Sequence, residues 1–233
     1  MNKLTTTLFC ASIYLTQSLY AGSIRISPVQ LDLVDDTKSS SLTILNQATS
    51  SSNLQIRVFK WQQKPNGEDQ LTETNDIAIS PPALKMAASN SYNIRVVKTQ
   101  NIDNTVEQAY RIIIDELPTP NDSRKVETGL QVLVRSSIPL FVVNKNAVAN
   151  LSAKIIQQDQ ENYVEVKNTG TRHELIQNLS VKDLTTQQEI QIPINTINGY
   201  LLAGTTKRFS FKNTQANSKY QITLKSSNKS LTF

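Results

Sequence analysis

The sequence predicts an all-β protein made of two immunoglobulin-like sandwiches, and three observations carry that prediction. Almost no segment repeats its apolar residues at helical spacing; short runs rich in Val, Ile, Tyr and Thr recur instead, separated by Asn, Ser, Gly and Pro. The runs form two series, each with about the strand number and strand length of an immunoglobulin-like sandwich. Between the series, residues 144–150 (NKNAVAN) interrupt the apolar pattern.

In chain order, the first series predicts strands at 24–34, 41–46, 54–62, 77–80, 92–97, 108–116 and 130–143. Within 54–62 the stretch QIRVFKW alternates: Ile56, Val58 and Lys60 share one face, and Arg57, Phe59 and Trp61 the other. Trp61 reads as a core residue, because tryptophan is strongly buried on average. The Lys64-Pro-Asn-Gly67 segment that follows is a chain reversal. Ser80-Pro-Pro82 stops the next strand, since two prolines remove consecutive donors from a ladder. The second series predicts strands at 151–157, 163–168, 175–183, 189–193, 205–212 and 220–225.

The first 21 residues, ending YA, read as a secretory leader: Lys3 supplies the positive start, an apolar stretch follows, and Ala21 is a small residue at the cleavage point. That gives three divisions: a leader over 1–21, a first domain over 22–143 and a second over 144–233. No later segment reaches the roughly 20 apolar residues of a spanning helix, so the exported chain is not expected to insert in a membrane. The one cysteine, Cys10, falls inside the leader, which removes disulfides, thiolate metal sites and cysteine nucleophiles from the mature protein. A net charge of +5 raises the question of nucleic acid, but Lys and Arg are scattered along the strands and the leader sends the chain elsewhere.

Catalytic chemistry finds little support. The single histidine, His173, has no partner set for acid–base or metal work and reads as solvated or structural. There is no Gly-rich phosphate loop, GxSxG elbow or HExxH helix, so neither an enzyme nor a cofactor or metal is expected. Asp115 and Glu116 are adjacent on a strand, face opposite ways and cannot form a carboxylate pair.

The most informative stretch is 106–141. It opens VEQAYRIIIDELP, crosses a polar connection containing PNDSRK, and ends GLQVLVRSSIPLF. Leu130, Val132 and Val134 fall on one side of an extended chain. Pro139 is tolerated at an edge or bend, which puts this strand at the border of its sheet. An exposed apolar edge is a hazard that soluble proteins blunt or cover. Left open at the end of a long loop, it is suited to donation to another protein.

At QIRVFKW, SPP, IRVVK, EQAYRIIIDELP and SSIPLF, and more weakly at VKNTGTRHELIQNLSV and NGYLLAGTTKRFSF, the chain resembles the PapD-like periplasmic chaperones of pilus assembly. QIRVFKW and SIPLF are most similar to the archaic branch, of the spore-coat-U type. The resemblance implies two immunoglobulin-like domains meeting in an L. It implies pilus subunits and an outer-membrane usher as partners, and a periplasmic location. It also implies a donor strand through Leu130, Val132 and Val134, with Ile138 and Leu140 continuing toward the domain junction. In that family a basic pair clamps the subunit's C-terminal carboxylate, but Pro28 and Pro139 stand at the two positions here, leaving Arg95 and Arg135 as candidates. Glu107 matches a glutamate of an interdomain ion pair, whose usual basic position is Val143. The reading from another class is a secreted two-domain structural or adhesive surface protein.

Overall fold

The computed structural model describes residues 24–64, 67–118, 133–158, 161–195, 199–212, 219–227 and 229–233. Their regular structure is entirely strand. The first ten are β1 (Ile24–Ser27), β2 (Leu31–Val34), β3 (Ser39–Asn46), β4 (Ser52–Gln63), β5 (Asp69–Glu73), β6 (Ile77–Ser80), β7 (Ala83–Met86), β8 (Ser91–Lys98), β9 (Gln108–Leu117) and β10 (Arg135–Val143). They form two sheets, one ordered β1-β3-β8-β6 and one ordered β2-β10-β9-β4-β5 with β7 also on β4. Alternate residues of both sheets close a core, including Leu42 and Ile94 from the first and Ile56, Ile112 and Leu140 from the second.

The run 24–34, expected as one strand, divides at Pro28. β1 pairs antiparallel with β3, and β2 crosses to the other sheet to pair parallel with β10. Pro28 carries no N–H for either ladder, so the break falls where a continuous strand would lose a donor. β5, β7 and two short strands of the second domain go beyond the expected elements; they are two to five residues long, too short to carry a periodic signal.

The remaining strands are β11 (Leu151–Gln158), β12 (Glu161–Asn168), β13 (Glu174–Asp183), β14 (Glu189–Ile192), β15 (Tyr200–Leu201), β16 (Thr206–Phe211), β17 (Tyr220–Ser226) and β18 (Ser230–Thr232). They build a second sandwich from the sheet β11-β12-β16 and the sheet β14-β13-β17-β18, with β15 on β13. Val164, Val166, Leu179, Val181, Phe209 and Leu224 lie in its core.

Register decides what β10 can do. Glu116 donates its backbone N–H to the Val134 carbonyl at 3.0 Å, and Ser136, Ile138 and Leu140 stand opposite Ile114, Ile112 and Tyr110. In an antiparallel ladder such pairs alternate, so the even-numbered residues of β10 bond to β9 and the odd-numbered ones present N–H and C=O outward. Pro139 is odd-numbered; its missing N–H costs the β9–β10 ladder nothing. On the outer side β2 pairs only with Leu140–Val143. From Arg135 to Pro139 no strand covers that side among the described residues. The strand is therefore an edge in its first half only.

Candidate functional site

The site is the outward face of the six-stranded sheet together with the open half of β10. Leu133 and Val134, just before β10, are 44% and 41% exposed. Arg135 is tied down by Asp115, which accepts from its Nε at 2.5 Å and from Arg57 at 2.7 Å. Burial pushes the Asp115 carboxyl up, but the hydrogen bonds and charges of Arg135 and Arg57 outweigh it and hold the group below its ordinary value. The entrance to the open edge is thus pinned to the sheet by one main-chain bond and a carboxylate between two arginines.

Four residues along β9 from Asp115, about 13 Å at strand rise, Arg111 occupies the same face. It stands between Phe59 and Pro139 in the cross-strand register. Its guanidinium lies 3.6 Å over the Trp61 ring and 5.2 Å from the Tyr200 ring, a cation–π arrangement. Only 9% of the residue is exposed. Among the described residues it forms no ion pair and no hydrogen bond. Burial lowers its pKa from the ordinary arginine value, with the negative charge of Asp69 and the Tyr200 phenol opposing. The guanidinium borders a cavity of about 680 Å³ whose walls include Val29, Leu71, Ile138 and Pro139 from the first domain and Leu175 and Tyr200 from the second. Lys207 of β16 adds a second buried cation near Asp69; burial lowers its pKa, Asp69 opposes and Arg111 adds to the lowering.

The cavity has walls from both domains, so its shape depends on their junction. There Trp61, Ala109 and Phe141 pack against Tyr200 and Leu202. Gln63 brackets the junction: its amide donates to the Tyr200 carbonyl at 2.9 Å, and its oxygen accepts from Leu202 N at 2.9 Å and Thr205 Oγ1 at 3.0 Å. Arg172 reaches Asp32 at 3.2 Å. Deepest is Glu107, whose carboxylate accepts the His173 backbone N–H at 3.0 Å and lies 2.8 Å from His173 Nδ1 through both oxygens. The His173 ring stacks on Phe141, centroids 3.7 Å apart.

The expected site residues fall in different places. Leu130 and Val132 lie outside the described residues. Val134 is exposed at the mouth of the open edge. Ile138 and Leu140, expected to extend the donated face, instead fill the domain's own core at 7% and 0% exposure, because their register opposite the core residues Ile112 and Tyr110 of β9 turns both side chains toward the facing sheet. Arg95 does not belong to the cavity. It is exposed on β8 in the opposite sheet, between core residues Ile94 and Val96, so its side chain points out of the far side of the sandwich. Arg135 lies on the right face but at its distal end, engaged with Asp115. The cation that does line the cavity, Arg111, was not nominated from sequence. Its signal was one charge inside the apolar run AYRIII of a strand buried on both faces. Glu107 has a junction partner after all: His173 from the second domain, in place of a base at Val143.

Residues 23–146 match the family model described as "Pili and flagellar-assembly chaperone, PapD N-terminal domain". A probable fimbrial chaperone, LpfB of Escherichia coli O157:H7, is 25% identical over 131 residues, 56% of this chain and 53% of that protein. The chain therefore matches about half the length of that relative. In solved structures the fold recurs in the CsuC–CsuE chaperone–tip adhesion subunit pre-assembly complex from the archaic chaperone-usher Csu pili of Acinetobacter baumannii. That match has a TM-score of 0.70 and 24% identity, covering 91% of this chain and 97% of that one. It recurs in the Pseudomonas aeruginosa CupB2 chaperone at a TM-score of 0.62 and 12% identity, covering 90% and 98%. With two immunoglobulin-like sandwiches in sequence and more than half of its length inside the family model, this chain belongs to the PapD family of pilus-assembly chaperones.

Proposed function

We propose that this chain is a periplasmic chaperone of the archaic branch that caps pilus subunits by donor-strand complementation and passes them to an outer-membrane usher. The observation that carries the reading is the half-open β10, whose outward backbone groups at Arg135 and Ser137 meet no strand among the described residues, with exposed apolar side chains just before them. A subunit strand added there extends the sheet through main-chain hydrogen bonds. Val134, with Leu130 and Val132 upstream, supplies side chains to an incomplete subunit core. Three aliphatic side chains contribute about 4.5–9 kcal/mol on burial. Association costs on the order of 4–15 kcal/mol. Side-chain insertion alone is marginal, so the added ladder is required, and a complex of that strength remains releasable at the usher. Arg111, buried beside the open edge with no ion pair or hydrogen bond among the described residues, takes the subunit's terminal carboxylate in place of the family's basic pair.

The test is Leu130→Glu with Val132→Glu. The double variant keeps the native circular dichroism spectrum but loses co-purified subunit from periplasmic extracts. Wild-type amounts of bound subunit from the folded variant would refute donation by this strand.

A further inference from the structure

We infer that the cavity beside Arg111 reads the last residue of the captured chain and selects a large apolar side chain there, gripped between Val29 and Leu71. The inference rests on the proposed capture of a chain terminus by Arg111, and it adds a specificity that the carboxylate contact lacks. A carboxylate displaces little more than two waters, about 60 Å³ at 30 Å³ each. The cavity holds about 680 Å³. Most of it is therefore available to something attached to that carboxylate.

The walls say what kind of group fits. Val29 is 73% exposed and Leu71 43%, and both border the cavity. Isolated exposed aliphatics need no explanation. Here two of them line one cavity with a buried guanidinium that has no ion pair or hydrogen bond among the described residues, and Leu175 and Tyr200 of the second domain add to its apolar lining. Leu71 stands opposite Trp61 in the β4–β5 register, so it continues the apolar surface on which Arg111 is stacked. Charged last residues are disfavoured from both directions. Asp69, the acidic residue of the lining, already offsets one of the two cations Arg111 and Lys207, so the charge balance admits one further carboxylate and disfavours two. A terminal lysine meets Arg111 and the nearby charge of Lys207. One apolar side chain next to one carboxylate is the complement of this surface: a cation at the base, an apolar majority in the walls, one acid to the side, and Gln30, Ser136 and Ser137 as its neutral polar part.

The experiment uses the full chain and fluorescent ten-residue strand peptides of alternating Val and Thr. They end in Phe, Leu, Ser, Asp or Lys with a free carboxylate; a Phe-amide and a Phe-Ser/Ser-Phe pair of equal composition complete the set. Binding is read by anisotropy. Peptides ending in Phe or Leu are expected to bind about ten- to a hundredfold more tightly than the others, from burial of one apolar side chain. Ser-Phe should bind better than Phe-Ser. Val29→Ser with Leu71→Ser should erase the preference while leaving sensitivity to amidation, and Arg111→Met should weaken all free-carboxylate peptides alike. Equal binding of Phe- and Ser-terminated peptides, with amidation and Arg111→Met still weakening both, overturns the selection and leaves the anchor standing. Binding indifferent to amidation and to Arg111→Met removes the anchor, and the selection with it. The comparison of peptides on the wild-type chain decides the matter even where the double serine variant does not fold.

Discussion

Removing the Glu107 carboxylate should separate the two domains energetically before it unfolds either one. The Glu107 side chain is 1% exposed and that of His173 8%, so both sit where water cannot replace a lost partner. Glu107→Ala leaves two buried donors, the His173 backbone N–H and Nδ1, without an acceptor. Each orphaned group costs about 1–3 kcal/mol, which gives about 2–6 kcal/mol for the pair. Glu107→Gln retains an acceptor for the backbone N–H and should cost less, about 1–2 kcal/mol. The loss falls on the junction, because the contact joins Glu107 of the first sandwich to His173 of the second, whose ring stacks on Phe141 of the first. The molecule carries its own reporter: the only tryptophan, Trp61, is 2% exposed within the junction cluster. In guanidinium titrations of the wild type, Trp61 fluorescence and far-ultraviolet circular dichroism should change together. In Glu107→Ala the fluorescence transition should move to lower denaturant, ahead of the dichroism. Coincident transitions within about 0.5 kcal/mol of wild type, below the cost of even one orphaned donor, would show that the junction does not depend on this carboxylate.

Two further outcomes follow from local geometry. Asp115→Asn weakens both arginine contacts, so hydrogen exchange at the Glu116 amide, which bonds Val134, should accelerate several-fold. The folded carboxyl is held below its ordinary value, so its contribution is present at neutral pH and lost as pH falls through that depressed value, below about 4; the wild-type and Asn variants should converge in stability there, and a constant difference at all pH values would be wrong. Gly170→Ala should lower the melting temperature by several degrees, because the added Cβ would lie 2.2 Å from the Val148 carbonyl oxygen and 2.5 Å from Asn150 N, both in the interdomain linker. An unchanged melting curve would mean that the linker shifts without cost.

The sandwich strands were legible because their periodicity is local. QIRVFKW alternates in the structure as it does on paper, with Ile56 buried in the core and Trp61 in the junction on the other face. What sequence pattern could not carry was pairing between distant segments. Nothing in LDLV announces a parallel partner in PLFVV, yet that pairing closes the edge of β10 from Leu140 onward. Arg95 and Arg111 are both arginines in apolar strands; only the sheet order separates an outer face from a cavity wall. In sequence His173 reads as solvated or structural, and the poverty of its neighbours does not choose between the two. Its partner lies 66 residues away across the domain boundary.

The division of β10 reconciles two demands that conflict in a full edge strand. A strand offered to a partner needs unpaired backbone groups and apolar side chains, which are also what drives indiscriminate edge-to-edge association. Here β10 is closed off by β2 from Leu140 onward, and the uncovered part opens with the polar Arg135, Ser136 and Ser137, while Ile138 is turned into the domain's own core. Pro139 sits at the boundary with its nitrogen turned outward, so an incoming strand finds no donor at that step of the ladder. On the proposed reading, a foreign strand gains the main-chain ladder over a few residues and must earn the rest from Arg111 and the cavity beside it. Specificity then lies where the ladder ends, in a pocket that needs both domains in place, and the Glu107–His173 contact becomes part of recognition although it touches no partner.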